Sequence, residues 1–157
     1  MREIVGVARR VLAVGGWAPL LVFVVHVFAT EVVDVYRSWP GLDMPMHFAG
    51  GVSVAYFISR CIQGLPWDRG RGGVILEALL VASLTSSAAV VWEFLEFAID
   101  AVTGSNLQVS LANTMQDLAL GMLGAGALIV ARAPRERATP TGHEDPAMKA
   151  AARIKAE

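Results

Sequence analysis

The chain has a single cysteine, Cys61. That excludes a disulfide framework and any zinc site built on cysteine, and leaves Cys61 to be read as a small apolar packing residue. Charge is scarce as well. Charged residues are 17% of the 157 and the net charge is -1, where a soluble domain carries about 25%. No basic face stands apart from the ordinary membrane pattern, which argues against nucleic acid as a partner. The chain also lacks an internal repeat, a Ser-His-Asp arrangement, a phosphate-binding glycine loop and an H-E-x-x-H zinc motif, so no motif names a reaction. What is abundant is apolar. Hydrophobic residues make up 55% and the mean hydropathy is +0.53, which shifts the composition toward that of a membrane protein. The length fits one domain.

The N-terminal stretch MREIVGVARRVLAVGGWAPLL is basic and then apolar, as a signal peptide is. Its apolar run continues to about Tyr36, too long for an h-region of about 7–15 residues, and no A-x-A site follows. It reads as a retained membrane span. A spanning helix needs about 20 mostly apolar residues. Four stretches qualify: about Val11 to Tyr36, Pro45 to Gln63, Val74 to Val102, and Leu111 to Ala131. Between them lie the breakers Pro40-Gly41, Gly64-Leu65-Pro66 with Gly70 to Gly73, and Thr103-Gly104-Ser105-Asn106. The fold expected is therefore an all-α, integral membrane bundle of four transmembrane helices over residues 1–131. Residues 132–157 are polar, with Pro134, Pro140 and Pro146, and read as a flexible cytoplasmic tail with a short helix from Ala147 to Lys155.

Basic residues set the orientation. Arg2, Arg9 and Arg10 precede the first span, Arg60, Arg69 and Arg71 mark the second loop, and Arg132, Arg135, Arg137, Lys149, Arg153 and Lys155 follow the fourth span. Only Arg37 falls on the other side. Basic residues collect on the cytoplasmic side, so both termini are expected in the cytoplasm.

The remaining ionisable residues share one depth. Glu31 and Asp34, then Asp43 and His47, then Glu93, Glu96 and Asp100, then Asn113, Gln116 and Asp117 all fall at the outer ends of their spans. The cytoplasmic halves hold little beyond Glu77. Glu93, Glu96 and Asp100 are spaced i, i+3, i+7 and so share a helix face, as do Asp43 with His47 and Asn113 with Asp117 at i, i+4. Below them on the same faces lie Gly50, Gly51, Gly121 and Gly124, small residues that let helix backbones approach. The expectation is a bundle closed on its cytoplasmic side and opening outward into a polar pocket.

An ionised carboxylate in hydrocarbon costs about 2.5–3.5 kcal/mol on insertion scales. Protonation, a cationic partner or water must relieve it. No Lys or Arg lies in the outer halves except the peripheral Arg37. His47 with Glu93, Glu96 and Asp117 offers one nitrogen and several oxygens, a set that suits a divalent metal ion such as zinc, manganese or iron, or, with more carboxylates and waters, calcium or magnesium. Asp43 and Asp100 extend the candidate set. Each has a plainer reading beside it. Glu93, Glu96 and Asp117 also read as a hydrogen-bonded network of partly protonated acids. Asp43 reads first as an N-cap for the second span, with Pro45 in its first turn. Asp100 reads as an interfacial residue, Glu31 and Asp34 as waterward residues at a helix end, and His26 as a satisfied core histidine. Trp17, Trp39, Trp67 and Trp92 read as interface or packing residues.

The segments DMPMHFAGG, WEFLEFAID and NTMQDLALGMLGA together resemble the YjdF-like family of small bacterial inner-membrane proteins and, more distantly, the VanZ-like proteins. The pattern covers roughly residues 43–127 and falls on Asp43, His47, Glu93, Glu96, Asp100 and Asp117. Where it has a first Asp in its third segment, this chain has Asn113, which weakens any role needing charge there. The resemblance implies a polytopic membrane protein and supplies no reaction. VanZ-like proteins are associated with glycopeptide resistance, which implies cell-envelope chemistry. The function expected is an outward-facing divalent-cation site, in a hydrolase or a sensor acting on an envelope component. One rival is an ion or proton carrier that uses the same acids as relay groups, and another is a structural membrane scaffold. The partners expected are the lipid bilayer, an envelope lipid or small molecule, and a second copy of the chain in a homo-oligomer.

Overall fold

The computed structural model describes residues 2–32, 35–66 and 70–138, and all of its described elements are helical. Asp34, Trp67 and the helix expected from Ala147 lie outside the described residues, as do the side chains of Glu31 and Arg37. The elements in order are α1 (Arg2–Val11), a π-helical segment (Leu12–Gly16), α2 (Trp17–Val27), a second π-helical segment (Phe28–Val32), the short α3 (Val35–Ser38), a 3-10 turn (Pro40–Leu42), α4 (Asp43–Gln63), α5 (Arg71–Thr103) and α6 (Leu111–Ala138).

The first apolar stretch is not one straight helix. Gly15 has φ 134° and ψ 4° and kinks the chain between α1 and α2, a conformation glycine adopts without penalty. The kink lies against α4. A Cβ on Gly15 would sit 2.9 Å from Tyr56 Cε1, and Arg60 Nε donates to the Val14 carbonyl at 3.4 Å. The later boundaries follow local chemistry. α5 stops at Gly104, whose φ of 71° forms a left-handed cap, with its N–H donating to the Asp100 carbonyl at 2.9 Å. α6 starts after Ser110, whose hydroxyl accepts the Asn113 N–H at 3.2 Å as an N-cap does. It continues past the expected end at Ala131 to Ala138.

The polarity is inside out. Ser53, Ser59, Glu77, Thr85, Glu93, Glu96 and Asp117 are buried, while Leu79, Phe94, Phe97, Leu123 and Val130 are exposed. Cys61 is on the exposed side rather than packed within. Helices with apolar outer surfaces and polar interiors are built for lipid. Three helical stretches, Val5–Thr30, Gly72–Thr103 and Leu111–Ala133, are long and apolar enough to cross a membrane. α4 is not among them, and it holds the centre, packing against α2, α5 and α6.

Where α4 meets α6 the glycines decide the spacing. A Cβ on Gly51 would overlap the Gly121 carbonyl oxygen, and one on Gly124 would overlap the Phe48 carbonyl oxygen. α5 joins at the same level, since a Cβ on Gly121 would lie 3.3 Å from that of Ala89. The i, i+4 step then orders the bundle in layers. One turn from Gly51, Ala89 and Gly121 come His47, Glu93 and Asp117. One turn the other way come Ala55, Thr85 and Ala125, each no more than 1% exposed. Beyond a core of Ala55, Ile62, Val81 and Ala125, Glu77 has its own partners. Its Oε1 accepts Ser59 Oγ at 2.9 Å and Gln63 Nε2 at 3.2 Å, and Arg132 Nη1 donates to the Ser59 hydroxyl.

Candidate metal centre

His47 stands at the middle of the acidic layer. Its Nε2 is 3.3 Å from Asp43 Oδ1, one turn back on α4, and 3.9 Å from Asp117 Oδ1 on α6. Its Nδ1 is 3.9 Å from Glu93 Oε1 on α5. Asp43, His47 and Asp117 form one group whose ligating atoms lie within 4.8 Å of one another, and His47, Glu93 and Glu96 form a second. The imidazole is thus shared, one nitrogen toward each group.

Two amides hold the outer oxygens. Asn113 Nδ2 donates to Asp117 Oδ2 at 2.7 Å and to Asp43 Oδ2 at 3.3 Å. Both Oδ1 atoms are left facing His47 Nε2. Asp117 Oδ1 is buried and has no hydrogen-bond partner. Gln108 Nε2 donates to Glu93 Oε2 at 3.1 Å and to the Glu93 carbonyl at 2.9 Å. Glu96 Oε1 accepts Trp92 Nε1 at 2.7 Å. Glu93, Glu96 and Asp117 are 6%, 8% and 2% exposed, so a low-dielectric setting magnifies their mutual repulsion. The cluster contains no Lys or Arg among its described contacts.

Of the residues singled out from the sequence, the structure brings together His47, Glu93, Glu96, Asp117 and Asp43. Asp43 is not a cap. The turn at Pro40–Leu42 starts α4 early enough to put Asp43 in its first turn, and no side chain caps the helix there. Its carboxylate turns inward to His47 and Asn113 instead. Asp100 belongs to neither group and organises the loop after α5. Its Oδ1 accepts Ser105 Oγ at 2.7 Å and the Leu107 N–H at 2.8 Å, and its Oδ2 accepts the Gln108 N–H at 2.9 Å. That loop in turn delivers Gln108 to Glu93. His26 packs edge-on to Trp92, with ring centroids 5.5 Å apart. Gln108 and the hydrogen bond from Trp92 are the parts that sequence reading missed. The Trp92–Glu96 spacing of i, i+4 was the available signal for the latter.

No curated protein and no solved structure gave a significant match to the chain. The profile of one family, described as "Predicted membrane protein (DUF2238)", matches residues 10–137. That match takes in every helix of the acidic layer, and the chain belongs to this family of membrane proteins, the one its DMPMHFAGG, WEFLEFAID and NTMQDLALGMLGA segments resemble as YjdF-like.

Proposed function

We propose that the protein is a four-span inner-membrane protein with both termini in the cytoplasm, and that its acidic layer binds a divalent cation at the outer face. α4 is the span in question. Its 21 residues reach about 31 Å at 1.5 Å per residue, enough for a hydrocarbon core of about 30 Å. Its modest hydropathy has a local reason, since His47, Ser53 and Ser59 all turn toward protein rather than lipid. The one-sided distribution of Arg and Lys supports the orientation.

One observation carries the cation reading. Asp43 Oδ1, Asp117 Oδ1 and His47 Nε2 converge, and Asn113 holds the other oxygen of each aspartate. Ligands about 2.1 Å from a tetrahedral metal lie about 3.4 Å apart. The observed separations of 3.3 and 3.9 Å need only a small closure around an ion. The buried, unpartnered Asp117 Oδ1 then gains a partner. Glu93 Oε1, 3.9 Å from Nδ1, would orient the imidazole as a carboxylate behind a metal-bound histidine does once the site closes to hydrogen-bond distance. The donor set of one imidazole and two carboxylates suits zinc, manganese or iron and leaves coordination positions for water or substrate. A bound cation would activate water or polarise an oxygen of an envelope component, with Glu96 the nearby base. A sensor would use the same open positions for recognition.

The carrier reading needs polar steps across the whole membrane. Between the acidic layer and Glu77 lie Gly51, Ala55, Val81 and Ala125, with the hydroxyls of Thr85 and Ser53 as the only polar side chains among the described buried ones. That favours a one-sided site. The distant resemblance to VanZ-like proteins rests on the residue pattern alone and adds only the envelope as compartment.

Melting of the purified protein with chelator and with added zinc or manganese tests the reading. A site at about 100 times its dissociation constant adds about 2.7 kcal/mol, so the midpoint should fall by several degrees in chelator. Asp117→Asn should remove that response. A scaffold held by hydrogen bonds alone would show no chelator effect, and Glu93→Gln would melt where the unaltered protein does.

A further inference from the structure

Beside the acidic layer a cavity of about 300 Å³ runs between α2, α4 and α5, and no residue of α6 lines it. It begins at His47 and follows α4 past Gly50 to Val54, a depth of about 10 Å. Its walls are almost wholly apolar, with Phe23 on α2 and Ala88 on α5. Trp92 stands at the end nearest the acids, edge-on to Phe23 with ring centroids 6.1 Å apart and donating to Glu96. The cavity and the candidate metal centre therefore share His47 and are joined through Trp92.

Three features mark it as a place for a ligand. The first is the lining, apolar on all three helices apart from the side chains of His26, His47, Ser53 and Thr85. A mostly apolar chamber with a few placed polar groups is the usual form of a small-molecule site, and about 300 Å³ is at the lower end of the range. Gly50 is the second feature. Unlike Gly51, it could carry a Cβ with nothing within 4 Å. No close approach requires glycine there, and alanine would favour the helix by about 0.5–1 kcal/mol, so it is the missing side chain that leaves this part of the chamber open. The third is access. α2 and α5 both pack on α4, but they meet each other mainly through the rings of Phe23, His26 and Trp92. The chamber is half-open rather than enclosed, and between two helices apolar enough to span a membrane a hydrocarbon chain would enter it sideways without crossing water.

We infer that this chamber takes the head-proximal part of one hydrocarbon chain of a membrane lipid, whose oxygen-rich head then lies against His47 and the cation proposed beside it. The placement of the head rests on the cation reading above, whereas the seating of the chain does not. The pairing makes the substrate class a lipid with an oxygen-rich head. The chamber selects the chain and the acidic layer, through its cation, the head.

Native mass spectrometry of the purified protein dosed with 1-oleoyl-lysophosphatidylglycerol tests this, with glycerophosphoglycerol as the same head without a chain. The unaltered protein should keep a single copy of the chain-bearing probe and none of the chainless one. Gly50→Leu fills the chamber from α4 and Ala88→Phe fills it from α5. Each should weaken retention about tenfold or more while the protein still melts cooperatively and still responds to metal. Retention unchanged in a folded variant overturns the chamber, as does capture of the chainless head in place of the lipid. An unaltered protein that retains no probe also overturns it, and if a dimer is then lost in Gly50→Leu the chamber belongs to a second copy of the chain. Retention that is lost on filling the chamber, in a protein whose melting ignores chelator, upholds the seating of the chain and overturns the cation reading.

Discussion

Gly51 of α4 lies so close to Gly121 of α6 that a Cβ on the first would overlap the carbonyl oxygen of the second. One turn beyond each of them stand His47 and Asp117, whose Nε2 and Oδ1 are 3.9 Å apart. The helix contact thus sets the width of the candidate metal centre. Gly51→Ala should push α4 from α6, at a cost of about 1–3 kcal/mol for an overpacked contact, and should blunt the response of melting to metal. Gly50→Ala, one residue away with open space at its Cβ, should be neutral or stabilising by about 0.5–1 kcal/mol. Denaturation curves of the two variants side by side check this.

Asp100 was a candidate ligand by spacing, yet its three acceptor contacts all go to Ser105, Leu107 and Gln108. Asp100→Ala should speed hydrogen exchange at the Leu107 and Gln108 amides and leave the metal response of melting in place. Loss of the metal response with unchanged exchange would return Asp100 to the ligand set.

Asn113 holds the outer oxygens of Asp43 and Asp117 together. Removing a group that orients ligands lowers metal affinity by about 10–100-fold. Asn113→Ala should therefore weaken cation binding by that factor in a titration followed by calorimetry. Equal affinity in the variant would mean that the amide serves packing alone.

The span count has its own test. In a Cys61→Ala background, single cysteines at Leu65 and Ser105 report on the two loops flanking α5. With four spans and cytoplasmic termini, Ser105→Cys should react with an impermeant maleimide on intact cells, and Leu65→Cys only after permeabilisation. If α4 does not cross, the two results exchange.

Much of the site was legible because depth and helical spacing are local properties. The i, i+3 pair Glu93 and Glu96, the i, i+4 pair Asn113 and Asp117, and the glycines beneath them could be placed on facing sides before any contact was known. The parts that escaped depend on backbone conformation. Gly15 takes a positive φ where the surrounding sequence reads as continuous helix. The turn at Pro40–Leu42 moves the start of α4 and converts Asp43 from an expected cap into a contact of His47. Gln108 reaches Glu93 only because Asp100 folds the loop back, a path no periodicity encodes. The space beside Gly50 was invisible for a similar reason, since a pattern of small residues cannot tell a close helix contact from an open cavity.

The cation is the central claim, and elemental analysis of the protein purified without chelator tests it most directly. About one divalent ion per chain is expected, of the kind an imidazole–carboxylate set holds, with Asp117→Asn and His47→Ala each reducing the content to background. A metal content at background in the unaltered protein, before and after incubation with zinc, manganese or iron, would contradict it and leave the acids as a hydrogen-bonded network.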